Sequence, residues 1–215
     1  VVAVAVTAAP VRVQAAPSPD TDNAILQIAR QFVFRVRNGA CLATGSAFAA
    51  DGELVTNRHV AAGAASLDLA TWDGQDFTAQ VAGHGDQEDL NLLDGVPPQD
   101  SYATLGSSDP NPGTAVWVAG YPLGDQLTVA SGKVLAEVPG GPFGFDAPIL
   151  EISDPVQHGN SGSPLLDASG DVVGVVFGMD TVTHHGLAMP VSTLTTLLHG
   201  NGGDSAPIPC ADLSQ

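Results

Sequence analysis

Basic residues are scarce. Six Lys or Arg stand against 23 Asp or Glu in 215 residues, a formal net charge of −17. That balance argues against a nucleic-acid partner, because phosphate binding needs a basic surface. It also argues against docking on an anionic membrane. No apolar run reaches the roughly 18 residues of a membrane-spanning helix, so insertion of this segment is not expected. Charged residues of both signs make up only 13% of the chain and apolar residues 44%. A charge-rich disordered tail is therefore excluded. Cysteine is limited to Cys41 and Cys210. Two distant thiols cannot form a four-ligand zinc site alone. Neither a metal nor a cofactor is expected.

Glycine and proline are plentiful, at 25 and 16 residues. They favour short strands joined by many turns over helix bundles. The length suits one large domain or two small barrels sharing a core. Strands are expected near 32–37, 45–50, 53–56, 66–71, 77–83, 115–119, 127–137, 149–153, 164–166 and 172–178. Asn38-Gly39, Asp51-Gly52 and Trp72-Asp73-Gly74 supply hairpin turns. Gly106 to Gly113 reads as the connection between two half-domains. One stretch breaks the pattern. Leu194, Leu197 and Leu198 share a helical face, with Ser192 placed to cap the start and Gly200 the end. A short C-terminal helix is expected there.

The first 16 residues read as export-related or tether sequence, with an edge strand as the alternative because Val2, Val4 and Val6 alternate. Pro17 to Asp20 reads as a linker. The chain divides into a leading segment, 1–22; a first unit, 23–107; a second unit with the closing helix, 108–200; and a tail, 201–215, returning to the body. In an exported protein a Cys41–Cys210 disulfide would clamp that tail; two unpaired thiols are the alternative.

Three segments carry chemistry. Thr56-Asn57-Arg58-His59-Val60-Ala61-Ala62 follows an expected strand. Asp89-Leu90-Asn91-Leu92-Leu93 sets an acid before an apolar run. Gly159-Asn160-Ser161-Gly162-Ser163-Pro164-Leu165 surrounds a serine with glycines. A serine hydroxyl is a poor nucleophile near neutral pH and needs a base within hydrogen-bond reach. An imidazole serves if an acid fixes its tautomer. The oxyanion of acyl transfer needs preorganised N–H donors, which a tight glycine turn can aim inward. Base, acid, nucleophile and oxyanion loop occur in the order His, Asp, Ser.

These motifs, with Val172-Val173-Gly174-Val175-Val176-Phe177-Gly178 after the serine heptapeptide, resemble the chymotrypsin-fold (trypsin-like) serine proteases of bacterial type over roughly Phe32 to Leu198. Within them the chain is similar to the actinobacterial MarP-type extracytoplasmic proteases. Gly120-Tyr121-Pro122, Leu105 to Pro110 and the late cysteine fit that subgroup. The resemblance implies an all-β protein of two six-stranded antiparallel β-barrels with the site in the cleft between them. It implies Ser161 as nucleophile, His59 as general base and then acid, and Asp89 as the residue that orients His59. The N–H groups of Gly159 and Ser161 would form the oxyanion hole. Asp86, Glu88 and Asp94 lie close to Asp89. The family's Asp-Leu-Ala-Leu-Leu pattern selects Asp89, although Asn91 replaces a small residue there. Digestive relatives carry Asp where this chain has Asn160, so no newly cut N-terminal ammonium is expected to build the oxyanion loop. Ser163 replaces a glycine, which is tolerable at ordinary backbone angles.

Specificity is less legible. The position six before the serine, acidic in trypsin-type enzymes, is Pro155. The places used by glutamate-specific relatives hold Val156 and Val176. With Phe177 and Leu187 these suggest a neutral, apolar substrate pocket, though Asp154 could point into the cleft. His158 could line the cleft rim. His184 and His185 read as solvent-exposed, with pH-dependent access as the functional alternative and zinc not expected. The reading is a secreted or extracytoplasmic serine endopeptidase acting on protein or peptide. The alternatives are a catalytically silent binding protein and a fragment of an HtrA-like chaperone-protease, whose type carries a PDZ domain after the protease.

Overall fold

The computed structural model describes residues 16–84, 88–98, 101–154, 156–200 and 209–210. The expectations for residues 1–15, the loop at 201–205, the rival acid Asp86 and the Pro155 position lie outside the described residues.

The two-barrel expectation holds. Six strands, β1 (Val33–Asn38), β2 (Ala43–Ala50), β3 (Glu53–Thr56), β4 (Ser66–Ala70), β5 (Asp76–His84) and β6 (Asn91–Asp94), close in the order β1-β2-β3-β6-β5-β4. Six more, β7 (Ala115–Gly120), β8 (Thr128–Val138), β9 (Ile149–Ile152), β10 (Pro164–Leu166), β11 (Val172–Met179) and β12 (Gly186–Pro190), close in the order β10-β11-β12-β9-β8-β7. All named pairings are antiparallel. Closure removes the exposed edges that open sheets present. Between the barrels the chain touches both. Ala103 bridges to Ala50 of the first, and Leu105 to Val172 of the second.

Strand alternation places Phe34, Phe48, Leu54, Leu67, Leu69 and Leu93 in one large buried cluster, which continues through Trp117, Leu166 and Met189 of the second barrel. The other face of β7 supplies Val116 and Val118 to a separate cluster with Val134, Leu150, Ile152, Val156, Leu165, Val173, Val176 and Ala188.

Three local features differ from the sequence reading. The supposed linker is partly helical: α1 spans Pro19–Ala29. The Ser18 hydroxyl caps it by accepting from the Thr21 amide at 3.2 Å, Pro19 opens it, and Asp20 and Asp22 sit favourably in its first turn. Ile25 and Ala29 bury its inner face, and the Trp117 indole N–H donates to Asp22 Oδ1 at 2.7 Å. The second difference is β12, absent from the expected strands. All five of its residues are buried, so the polar/apolar alternation that marks a half-buried strand is missing. The third concerns α2, which spans Val191–His199 with Pro190 rather than Ser192 at its cap position. Ser192 lies inside the helix, where its N–H and hydroxyl both donate to Asp109, at 2.9 and 2.7 Å.

Cys41 and Cys210 are disulfide-bonded across 169 residues of sequence. The bridge packs on the turn that follows His59: a Cβ added at Gly63 would lie 2.8 Å from Cys210 Sγ and 3.0 Å from Cys41 Sγ.

Candidate active site

The pairing Thr56↔Asn91 in the β3–β6 ladder sets the chain leaving β3 beside the chain entering β6. Residues 57–59 and Asp89 thereby become neighbours. The Asp89 carbonyl accepts from Asn57 Nδ2 at 2.7 Å and from the Arg58 amide at 3.3 Å. Asp89 Oδ1 accepts from the His59 amide at 2.9 Å, and Asp89 Oδ2 pairs with His59 Nδ1. Side-chain exposure is 14% for Asp89 and 32% for His59, so the acid is sheltered while the imidazole stays accessible. The remaining ring nitrogen, Nε2, is left for other chemistry. A second side chain supports this turn: Asn38 Nδ2 donates to the carbonyls of Val60 and Ala62, at 2.8 and 2.7 Å.

Ser161 lies on the turn between β9 and β10. Gly159 and Gly162 have φ of +93° and +84°. A Cβ at Gly159 would stand 2.3 Å from the Tyr121 carbonyl oxygen, and one at Gly162 would stand 2.0 Å from that of Ser46. Neither position accepts a larger residue in this conformation. The amides of Asn160, Gly162 and Ser163 are committed to the carbonyls of Gln157, Val176 and Asn160, at 3.0, 2.9 and 3.0 Å. Among the described residues, the amides of Gly159 and Ser161 have no protein acceptor. Two unspent N–H groups on a rigid turn match the donor pair an oxyanion requires.

The barrels are stitched together here by a residue that the sequence reading missed. Ser46, fully buried on β2, donates its amide to the Ser161 carbonyl at 2.7 Å and its hydroxyl to the Gly159 carbonyl at 2.9 Å. The same hydroxyl accepts from the Tyr121 amide at 3.1 Å. Within the second barrel, the Leu123 amide donates to the His158 carbonyl at 2.6 Å. The one sequence cue was Gly45-Ser46 entering an apolar strand, which carries no chemistry alone. The Ser161 hydroxyl itself donates to the Phe177 carbonyl at 3.4 Å, not to the imidazole.

Of the four suspected pocket residues, Val156 and Val176 are buried within the second barrel and Leu187 within the larger cluster. Phe177 is half-buried and meets Phe145 edge-on, ring centroids 5.1 Å apart. Asp154 does not face the cleft; it is wholly buried. His158 is exposed near the turn. His184 is exposed, whereas His185 bonds through Nδ1 to Glu151 Oε1 at 2.7 Å. The loop before it is pinned by Asp180, whose carboxylate accepts from the Val182 and Thr183 amides. Those bonds, Thr183's foremost, hold its pKa below the ordinary value. Ser163 does not fall among the residues of positive φ, and its buried hydroxyl fills space left by Gly120. Among the described residues no three His, Cys, Asp or Glu side chains form a group able to hold a metal ion.

Two closed barrels, an Asp–His pair on one and a glycine-framed serine turn on the other, define the chymotrypsin-like class of fold. The family model for the trypsin-like peptidase domain matches residues 43–175, and the chain belongs to that family. The Rv3671c protease of M. tuberculosis in its active form superposes with a TM-score of 0.75 at 24% identity, covering 98% of each chain. A serine endoprotease from Yersinia pestis gives 0.73 at 23%, covering 85% of this chain and 66% of that one. Among curated sequences, a probable periplasmic DegP-like serine endoprotease of Hahella chejuensis is 34% identical over 135 residues, 61% of this chain and 29% of its own length. One from Ectopseudomonas mendocina is 31% identical over 159 residues, 72% of this chain and 33% of its own. The chain thus spans about a third of these relatives' length.

Proposed function

We propose that the chain is the catalytic domain of an extracytoplasmic serine endopeptidase, with Ser161 as nucleophile, His59 as base and acid, and Asp89 as the orienting carboxylate. The observation that carries this is the Asp89–His59 pair together with a serine turn of two uncommitted amides, linked through Gly45, where a Cβ would meet both the Val60 side chain and the Ser161 carbonyl oxygen. Ser161 Oγ leaves the Phe177 carbonyl, gives its proton to His59 Nε2 and bonds to the scissile carbonyl carbon. The carbonyl π electrons move onto oxygen, where the Gly159 and Ser161 amides receive the charge. Collapse breaks the C–N bond, and His59 returns the proton to the departing amine. Water then repeats the cycle on the acyl-enzyme. Asp89 holds Nδ1–H throughout, which fixes the tautomer and favours the transient imidazolium.

The disulfide and the periplasmic relatives support a location outside the cytoplasm. The partner is a protein or peptide; of Val156, Val176, Phe177 and Leu187, only Phe177 is partly exposed, and beside its ring a neutral or apolar substrate side chain is favoured. Mass-spectrometric mapping of cuts in a denatured proteome, with Ser161→Ala as control, tests this. Cuts after apolar residues, absent in the control, are expected; strict cleavage after Arg overturns the pocket assignment. The Ser161–Phe177 hydrogen bond favours one rival, a silent binding protein with the same fold. Absence of any Ser161-dependent cut would overturn the endopeptidase reading.

A further inference from the structure

Among the described residues Asp154 is the one Asp, Glu, Lys, Arg or His that is buried, and nothing in the proposed mechanism uses it. It sits seven positions before Ser161, with Oδ1 lodged against bare Gly132 of β8. A Cβ there would lie 1.5 Å from that oxygen, so the missing side chain is what admits the carboxyl group. The two residues before and after the segment's bend, Ile152 and Val156, belong to the apolar cluster inside the second barrel, as do Val118 and Val176. Among the described residues neither carboxyl oxygen has a hydrogen-bond partner of ordinary geometry.

Among the described residues no opposite charge compensates it. β7, β10, β11 and β12 carry no ionisable side chain within their bounds. β8 carries Lys133, which is exposed, and Glu137. β9 carries Glu151, which is engaged by His185. His158 on the adjoining segment is exposed. Burial pushes the carboxyl up from an ordinary 3.8 to about 7, outweighing the opposing Val118 amide. A charged carboxylate left unpaired in such surroundings is costly, whereas a neutral acid is tolerable.

The same cluster holds the serine turn. The Val176 carbonyl accepts from the Gly162 amide, and the Val176 amide donates to the Ser163 carbonyl, both at 2.9 Å. Val156 packs against Gly186, where a Cβ would stand 2.6 Å from its Cγ2. Anything that loosens the cluster therefore loosens the clamp after Ser161 and the strand leading to it.

We propose that Asp154 is a positioning residue for the Ser161 turn that works as the neutral acid, and that losing its proton loosens the valine cluster clamping that turn. The inference rests on the Ser161 protease reading. A carboxyl whose folded pKa lies above its unfolded one binds more protons in the native state between the two values. Its contribution to stability therefore falls as pH rises from about 4 to about 7 and is flat above that.

The test follows three readouts from pH 4 to 9 on the wild type and on Asp154→Asn and Asp154→Ser, two neutral replacements of different size. A ¹³C titration of the side-chain carboxyls in the wild type is expected to show one group with a midpoint near 7, missing from the variants. The wild-type Tm is expected to fall by roughly 5–10 °C more than that of either folded variant between pH 5 and 8. The rate of labelling by a fluorophosphonate should rise with pH as the base requires, then decline with unit slope above about 7 in the wild type only. A midpoint near 4, parallel melting curves, or an alkaline decline that persists in both variants overturns the role of Asp154. Absence of labelling at every pH overturns the protease reading itself.

Discussion

Replacing Ser46 by alanine removes a hydroxyl that serves both barrels. Its Oγ donates to the Gly159 carbonyl and accepts from the Tyr121 amide, at 2.9 and 3.1 Å, and the site is fully buried. Ser46→Ala therefore leaves one carbonyl and one amide without partners in a buried interface. Each such group costs roughly 1–3 kcal/mol. Partial relaxation and the small volume change place the total at about 2–4 kcal/mol. For a chain of this size that lowers Tm by roughly 5–15 °C. The Ser161 carbonyl keeps its bond from the Ser46 amide, so the fold should survive. The peptide after Gly159, however, loses the bond that fixes its carbonyl, which frees rotation about the Gly159 Cα and so disturbs the neighbouring Gly159 amide, one proposed oxyanion donor. Loss of a single such donor costs about 10²–10³-fold in rate, so a misaimed one should slow fluorophosphonate labelling by about 10–100-fold. Thermal melts and single-exponential labelling rates measure the two effects separately. A variant that melts within about 1 °C of the wild type and labels within about twofold would refute the reasoning.

Asp89→Asn should keep the fold while favouring the wrong imidazole tautomer, lowering kcat/KM by about 10³–10⁴-fold with little change in Tm. Equal activity would show that Asp89 does not orient His59. The double substitution Cys41→Ser with Cys210→Ser opens a loop spanning 169 residues and should cost about 4–5 kcal/mol in the chain-entropy picture, read as a lower denaturation midpoint. Because the bridge packs on the turn after His59, labelling should also slow; an unchanged midpoint contradicts this. Ile25→Ala on α1 should cost about 2–5 kcal/mol by cavity formation, since that side chain is 1% exposed. A loss under about 0.5 kcal/mol would mean that the helix contributes little to the body.

How much of this was legible beforehand depended on whether the signal was local. Hairpins such as β2–β3 were readable because Asp51-Gly52 supplies positive φ at both turn residues, +51° and +84°. The serine turn was readable for the same reason: its glycines must stand where a Cβ would strike Tyr121 and Ser46. The Asp89–His59 pair needed two segments 30 residues apart, and only the family pattern joined them. α1 was hidden because Pro19, Asp20 and Asp22, which favour a helix start, also favour a loop, and only Ile25 and Ala29 mark its buried face. β12 was hidden by its uniform burial. Ser46 and Asp154 acquire meaning only from neighbours distant in sequence, Gly159 and Tyr121 for one, Gly132 and Val118 for the other. Ser192 looked like a cap because Asp109, its actual partner, lies 83 residues away.

The central claim is that Ser161 is made nucleophilic by His59. A biotinylated fluorophosphonate, followed by peptide mapping of the adduct, tests it most directly. A single adduct is expected on Ser161, one that disappears in Ser161→Ala and forms at least about 10³-fold more slowly in His59→Ala. An adduct on another residue, or unchanged labelling without the imidazole, would contradict the claim.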